Sequence, residues 1–213
     1  MAKVTQLVFV DVETTGKKGP KTRDDAIVEI AAARVDLASR RILDSFDTLI
    51  RPWGDQTVHV DPPDDLTLTW DLGDYHVNAG HFTGVDWTQG VKLSQALDIM
   101  RDRFLTDGST IAGQNPRFDL DHFQRDFARL IWDWPALDYH VIDLCPSLLF
   151  LDMAGKIEGC SLRNAVPWAY ADPERKQAHR AAADVKDAIR VFFALADYFT
   201  KGLRPAPGEG PWT

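Results

Sequence analysis

The chain has 213 residues, 45% of them hydrophobic and 26% charged, with a formal net charge of −8. Such a length and balance suit one soluble globular domain. The acidic charge argues against a protein that coats long nucleic acid by counterion release, and no apolar run approaches the ~20 residues of a membrane span.

Residues 7–12 form a continuous apolar run, as a central strand buried on both faces requires. A polar loop follows from Gly16, carrying Lys17, Lys18, Lys21 and Arg23. Residues 27–35, with Ala31, Ala32 and Ala33 at their centre, read as a second strand, with helix as the alternative. Residues 41–50 alternate as a third strand, with Ile42, Phe46 and Thr48 on one side and Leu43, Ser45 and Leu49 on the other. The three are expected to form an antiparallel meander. Residues 51–90 are rich in Pro, Asp, Gly, His and Trp and show no core pattern, so they read as a long irregular excursion. Within it, Trp53, Trp70 and Trp87 are expected to build a satellite cluster rather than to stack on bases. The spacing of Leu93, Leu97, Met100 and Phe104 predicts a helix over 93–104. A short strand (109–112), a helix over 117–131 with Phe123, Phe127, Leu130 and Ile131 on one stripe, a strand (139–142) and two short helices (147–153 and 161–169, the latter with Ser161 as cap) follow. The longest helix, 178–200, places Ala181, Val185, Ala188, Phe192, Leu195 and Phe199 on its buried stripe. This order predicts an α/β fold, a mixed sheet flanked by helices, in one domain over residues 1–200 with a disordered tail at 201–213. Cys145 and Cys160 form no CxxC pair, so neither a zinc site nor a disulfide framework is indicated. With no signal-type apolar segment at the start, a reducing cytoplasmic setting is expected.

Four acids sit where a folded chain should not favour them. Asp11 and Glu13 lie on one side of the first strand's end. Asp119 shares the stripe of Phe123 and Phe127 and stands in a helix's first turn, where the macrodipole favours an anion. Asp184 borders the most apolar helix face, whereas Asp187 on the same helix reads as solvated. Each alone has an ordinary explanation: an exposed strand end, a helix N-terminal acid, a surface histidine for His179. Five residues separate His179 from Asp184, so on one continuous helix they would point about 140° apart. They converge only if His179 belongs to the loop entering that helix. Together, four hard oxygen donors from three elements suggest a two-metal site of the kind used in phosphodiester hydrolysis, with Mg²⁺ or Mn²⁺ as the ions and His179 as general base.

The motifs Phe9-Val10-Asp11-Val12-Glu13-Thr14-Thr15-Gly16, Gly113-Gln114-Asn115-Pro116-Arg117-Phe118-Asp119 and His179-Arg180-Ala181-Ala182-Ala183-Asp184 resemble those of the DEDDh, or DnaQ-like, 3′→5′ exonuclease family of the ribonuclease H-like superfamily. Ile27-Val28-Glu29-Ile30-Ala31 is similar to that family's second strand, and the resemblance spans about residues 5 to 198. It implies a three-layer fold with a five-stranded mixed sheet. It also implies two Mg²⁺ or Mn²⁺ ions, with Asp11 bridging both, Glu13 and Asp184 on the first and Asp119 on the second. His179 would be the base, and Thr14, Thr15, Asn115 and Phe118 would hold the 3′-terminal nucleotide. The implied activity is release of nucleoside 5′-monophosphates from 3′ ends, with single-stranded or frayed DNA favoured and DNA repair as the setting. The alternatives are a proofreading or adaptor subunit working through a DNA polymerase and an exoribonuclease trimming RNA 3′ ends. The segment 51–90 departs from the family's usual pattern, and the basic loop Lys17, Lys18, Lys21 and Arg23 offers contacts to a nucleic-acid backbone.

Overall fold

Strand β1 (Gln6–Thr14) lies at the centre of the sheet, and its interior residues Leu7, Val8, Phe9 and Val10 are all buried. The computed structural model describes residues 4–16, 25–52, 70 and 72–205. β2 (Ile27–Asp36) and β3 (Arg41–Leu49) complete the antiparallel meander, so residues 27–35 are strand and not helix. β4 (Ile111–Gly113) and β5 (Val141–Asp143) join parallel to β1, giving a five-stranded mixed sheet in the order β3-β2-β1-β4-β5.

Alternation along β1 divides the core. Val8, Val10 and Val12 face α2 (Leu93–Arg103) and α3 (Pro116–Arg129), whose Leu97, Met100, Phe123 and Phe127 are fully buried. Leu7 and Phe9 face the opposite layer of α4 (Leu144–Met153), α5 (Leu162–Tyr170) and α6 (Ala181–Lys201). Ala31 and Ala33 of β2 lie on that second face. Their small side chains let α6 approach the sheet, where Phe192 meets Phe9 edge-on at 5.7 Å between ring centres.

Several expectations change at element ends. The stripe of α6 does not reach Phe199, which is 54% exposed, because the last turn runs out past the layer it covers. α3 stops at Arg129, and Ile131 lies beyond it with positive φ and 93% of its side chain in solvent. Ser161 occupies the N-cap position of α5 without a side-chain cap bond. Within the excursion, α1 (Asp74–Ala79) and a 3-10 turn (Trp87–Gln89) form, and Phe82 and Trp87 are buried against Val28, with Trp70 partly buried beside them. Its outgoing end is pinned by the Ile50–Val91 bridge, where the Arg51 N–H donates to Val91 O at 2.8 Å. Lys17, Lys18, Lys21, Arg23, Trp53 and residues 206–213 lie outside the described residues. Among the described residues no helix is long and apolar enough to cross a membrane.

Candidate active site

The site begins with a mismatch of strand lengths. β4 pairs with β1 only at Val8 and Phe9, and the chain leaves at Gly113 to start α3 at Pro116. β1 continues to Thr14, so the Val12 N–H, which faces the β4 side, has no strand to donate to. Asp119 Oδ1 accepts from it at 2.8 Å. Asn115 makes this reach possible: it takes the left-handed conformation (φ 54°) that Asn tolerates, and Pro116 follows at the first helical position. Burial holds the Asp119 carboxyl well above its ordinary range, against the opposing effect of the Val12 N–H.

Asp11 and Glu13 project on the other face of β1, toward α6, as alternation predicts. Asp184, in the first turn of α6, meets them there. One carboxylate oxygen from each of Asp11, Glu13 and Asp184 lies within 4.8 Å of the other two. Asp119 is outside this triplet but beside it, since after burial its charge is what most raises Asp11, ahead of Glu13 and Asp184. Burial, then Asp184 and Glu29, push Glu13 up to about 8. Burial pushes Asp184 up to about 7, against a 2.6 Å hydrogen bond from Gln177 Nε2 and one from the His179 N–H. Like charges gathered in a desolvated notch demand protons or cations.

The donor set fits a hard divalent ion. Asp11 Oδ2 and Asp184 Oδ1 are buried and lack a hydrogen-bond partner among the described residues. Such orphaned acceptors are costly unless a cation meets them, and clustered carboxylate oxygens without sulfur or imidazole suit Mg²⁺ or Mn²⁺.

His179 lies in the loop ahead of α6, in a left-handed conformation (φ 53°), and not on the helix. The first turn of α6 is held by a residue outside the predicted site. The carboxylate of Glu29, 4% exposed in β2, accepts from Arg180 Nη2 at 2.8 Å and from the Ala181 N–H at 3.0 Å. An anion at a helix N-terminus is favoured by the macrodipole, and this one fixes where Asp184 arrives. Glu29 and Arg180 stand 151 positions apart. The only sequence signal was a glutamate inside the apolar run Ile27-Val28-Glu29-Ile30. Asp187, read as solvated, is instead buried at 4% exposure and accepts from the Tyr170 hydroxyl at 2.8 Å. Its partner sits on α5, where helical periodicity gives no hint of it.

The other predicted residues are held by contacts of their own and do not join the carboxylate triplet. Thr14 is buried and its hydroxyl donates to Gly16 O. Thr15 Oγ1 accepts from the Ala26 N–H at 3.0 Å, and its carbonyl from the Gly73 N–H at 2.8 Å. Asn115 is exposed, with its N–H donating to Asp143 Oδ1 at 3.0 Å. Phe118 is half-buried against the His122 ring, 4.5 Å between centres. The Cys145 and Cys160 thiols are free and lie 2.7 Å apart.

No protein-family model matches the chain, and no curated protein matches it in sequence. Solved structures do match in fold. Escherichia coli exonuclease I in complex with a dT13 oligonucleotide superposes with a TM-score of 0.63 at 19% identity, over 93% of this chain and 42% of the other. The zinc-ion-bound form of an E. coli ExoI–ssDNA complex gives 0.61 at 19% identity, over 93% and 42%. Exonuclease I from Methylocaldum szegediense gives 0.60 at 19%, over 93% and 41%. The chain thus spans about two fifths of the length of the structures it matches. What is shared is the fold, which in this chain is a five-stranded mixed sheet between two helical layers.

Proposed function

We propose that this chain is a metal-dependent 3′→5′ exonuclease of the DEDDh type that shortens single-stranded DNA ends. One observation carries the reading: oxygens of Asp11, Glu13 and Asp184 converge within 4.8 Å, two of them orphaned and buried, with Asp119 alongside. A purely structural acid cluster would be neutralised by Arg or Lys, as Glu29 is by Arg180 and Asp126 by Arg125. The fold shared with exonuclease I, seen there in complex with oligonucleotides, supports the substrate class.

In this reading Asp11, Glu13, Asp184 and Asp119 would hold the divalent ions, the first three as a converging triplet with Asp119 beside them. Such ions supply positive charge that stabilises the transition state of phosphoryl transfer. His179 takes the proton of the attacking water, whose oxygen bonds to the terminal phosphorus. The bond from phosphorus to the 3′-oxygen of the preceding nucleotide breaks, and that oxygen picks up a proton. The products are a nucleoside 5′-monophosphate and a strand one nucleotide shorter. Fixing Asp119 to the β1 backbone and Asp184 to a capped helix end keeps the ligands in place before substrate arrives.

The test is a panel of 5′-labelled single-stranded DNA, duplex DNA, mismatched 3′ ends and RNA. Ladders should shorten from the 3′ end, fastest on single-stranded DNA, stop with EDTA and resume with Mg²⁺ or Mn²⁺. Asp11→Ala, Asp184→Ala and His179→Ala should each abolish the ladder while the protein stays folded. Full activity in any one of them refutes the assignment.

A further inference from the structure

The excursion delivers a second histidine to the site. The His81 ring stacks on that of His179, with 4.6 Å between centres and 24° between planes. His81 is itself held: its Nδ1 shares a 3.2 Å hydrogen bond with Nδ1 of His76, which is 3% exposed, and its N–H donates to His76 O at 3.2 Å. One of the two Nδ1 atoms must carry the proton and the other accept it, so the pair fixes opposite tautomers when both rings are neutral.

The platform behind them is anchored at both ends. The Gly73 N–H donates to Thr15 O at 2.8 Å, directly after the Asp11–Glu13 strand. A Cβ at Gly73 would come within 3.1 Å of that carbonyl, so the approach is close. On the other side, Phe82 is buried against His76 and Trp87 at 5.5 and 5.3 Å, and the Arg180 guanidinium lies 5.8 Å over its ring. α1 and the turn behind it therefore bridge the end of β1 and the loop entering α6.

His179 has reason to need such support. It lies in an irregular stretch, and its left-handed backbone is uncommon for a residue with a side chain. Holding one imidazole rotamer in such a loop costs side-chain entropy unless a surface restricts it. We propose that His81 is a positioning residue: its ring, fixed by His76, is the flat wall that holds the His179 imidazole toward the carboxylate notch. The excursion then acts as part of the active-site frame. The proposal rests on the reading of His179 as the general base.

Two measurements on the full chain test it. In steady-state cleavage of a 5′-labelled single-stranded oligonucleotide, His81→Ala should lower kcat about 10- to 100-fold with KM little changed, the size expected of a misplaced catalytic group. His81→Phe keeps a flat ring and should recover most of that loss. In proton NMR, the His179 imidazole resonance, assigned with His179→Gln, should sit upfield under the facing ring. It should lose that displacement in His81→Ala and keep it in His81→Phe. Unchanged kcat in His81→Ala, no rescue by Phe, or a resonance indifferent to both substitutions overturns the proposal. Failure of the underlying function shows separately, as a wild-type protein without nuclease activity, and the NMR shift then still decides the contact.

Discussion

Glu13→Gln is expected to abolish activity and yet stabilise the metal-free protein. Burial and the charges of Asp184 and Glu29 push the Glu13 carboxyl to about 8, against an ordinary value of 4.5. The folded state therefore holds a proton that the unfolded chain releases between these values. Stability falls wherever the folded state binds more protons as pH rises. Glu13 thus leaves stability intact below about pH 4.5 and erodes it as pH climbs through about 8. Taken alone, the displacement corresponds to about 5 kcal/mol at pH 9. Protonation of the neighbouring Asp11 or Asp184 relieves part of the same repulsion, and water reaches Glu13, so ~2 kcal/mol is the effect expected from removing its charge. Glutamine preserves shape and removes the charge.

In EDTA-treated protein, thermal melts at pH 9 should therefore show Glu13→Gln above wild type by about 4–8 °C, using 2–4 °C per kcal/mol for a domain of this size. At pH 5 the two curves should converge. Mg²⁺ should raise wild type at pH 9 and the variant less, because a bound ion stabilises only the state that binds it. A variant no more stable than wild type at pH 9, or a gap independent of pH, would refute the view that these acids are strained against one another in the absence of ions.

Asp119→Asn keeps an acceptor for the Val12 N–H and should fold like wild type while losing at least ~10²-fold in rate, whereas Asp119→Ala should also cost about 1–3 kcal/mol in urea denaturation by orphaning that buried amide. Arg180→Ala leaves the buried Glu29 without its guanidinium and should destabilise by about 3 kcal/mol in the same assay. Gly90→Ala drives a Cβ to 2.7 Å from Arg51 N and 2.9 Å from Ile50 C, both backbone, and should lower the melting temperature by several degrees through the Ile50–Val91 bridge.

The order of elements was legible because each carries its own period. The apolar run of β1 marks a strand covered on both faces. The stripes of α2, α3 and α6 mark helices covered on one. The acids were conspicuous for the same reason, since a charge on an apolar stripe interrupts a pattern. Contacts between elements left no such trace. Asp187 looked solvated because its partner Tyr170 lies on a neighbouring helix. Phe199 looked buried because helical periodicity continues where the layer beneath it ends. The excursion hid His81 most completely, since α1 has six residues and no stripe, and its role comes from docking and not from composition.

The register of two neighbouring strands explains how the acids can be both crowded and ordered. Glu13 of β1 stands directly opposite Glu29 of β2, and like charges in that relation repel. Arg180 resolves the conflict by pairing with Glu29, and its charge also lowers the cost of ionising Glu13. Arg180 is also the N-cap residue of α6, and Glu29 accepts from the Ala181 N–H beside it, so answering the repulsion between the strands sets the position of the helix that carries Asp184. On the far side of β1, Asp119 is fixed by the amide of Val12, the residue between Asp11 and Glu13. Asp11, Glu13 and Asp119 are thereby referred to β1, as part of that strand or through the Val12 amide, and Asp184 to the neighbouring β2 through Glu29 and the first turn of α6. His179 is the exception, tied to the frame through its own N–H to Asp184 and through the ring of His81. Under the proposed function, the group assigned to accept a proton is thus one whose side chain rests on a support apart from the carboxylates, which is why substitution at His81 should alter rate while leaving the carboxylate geometry in place.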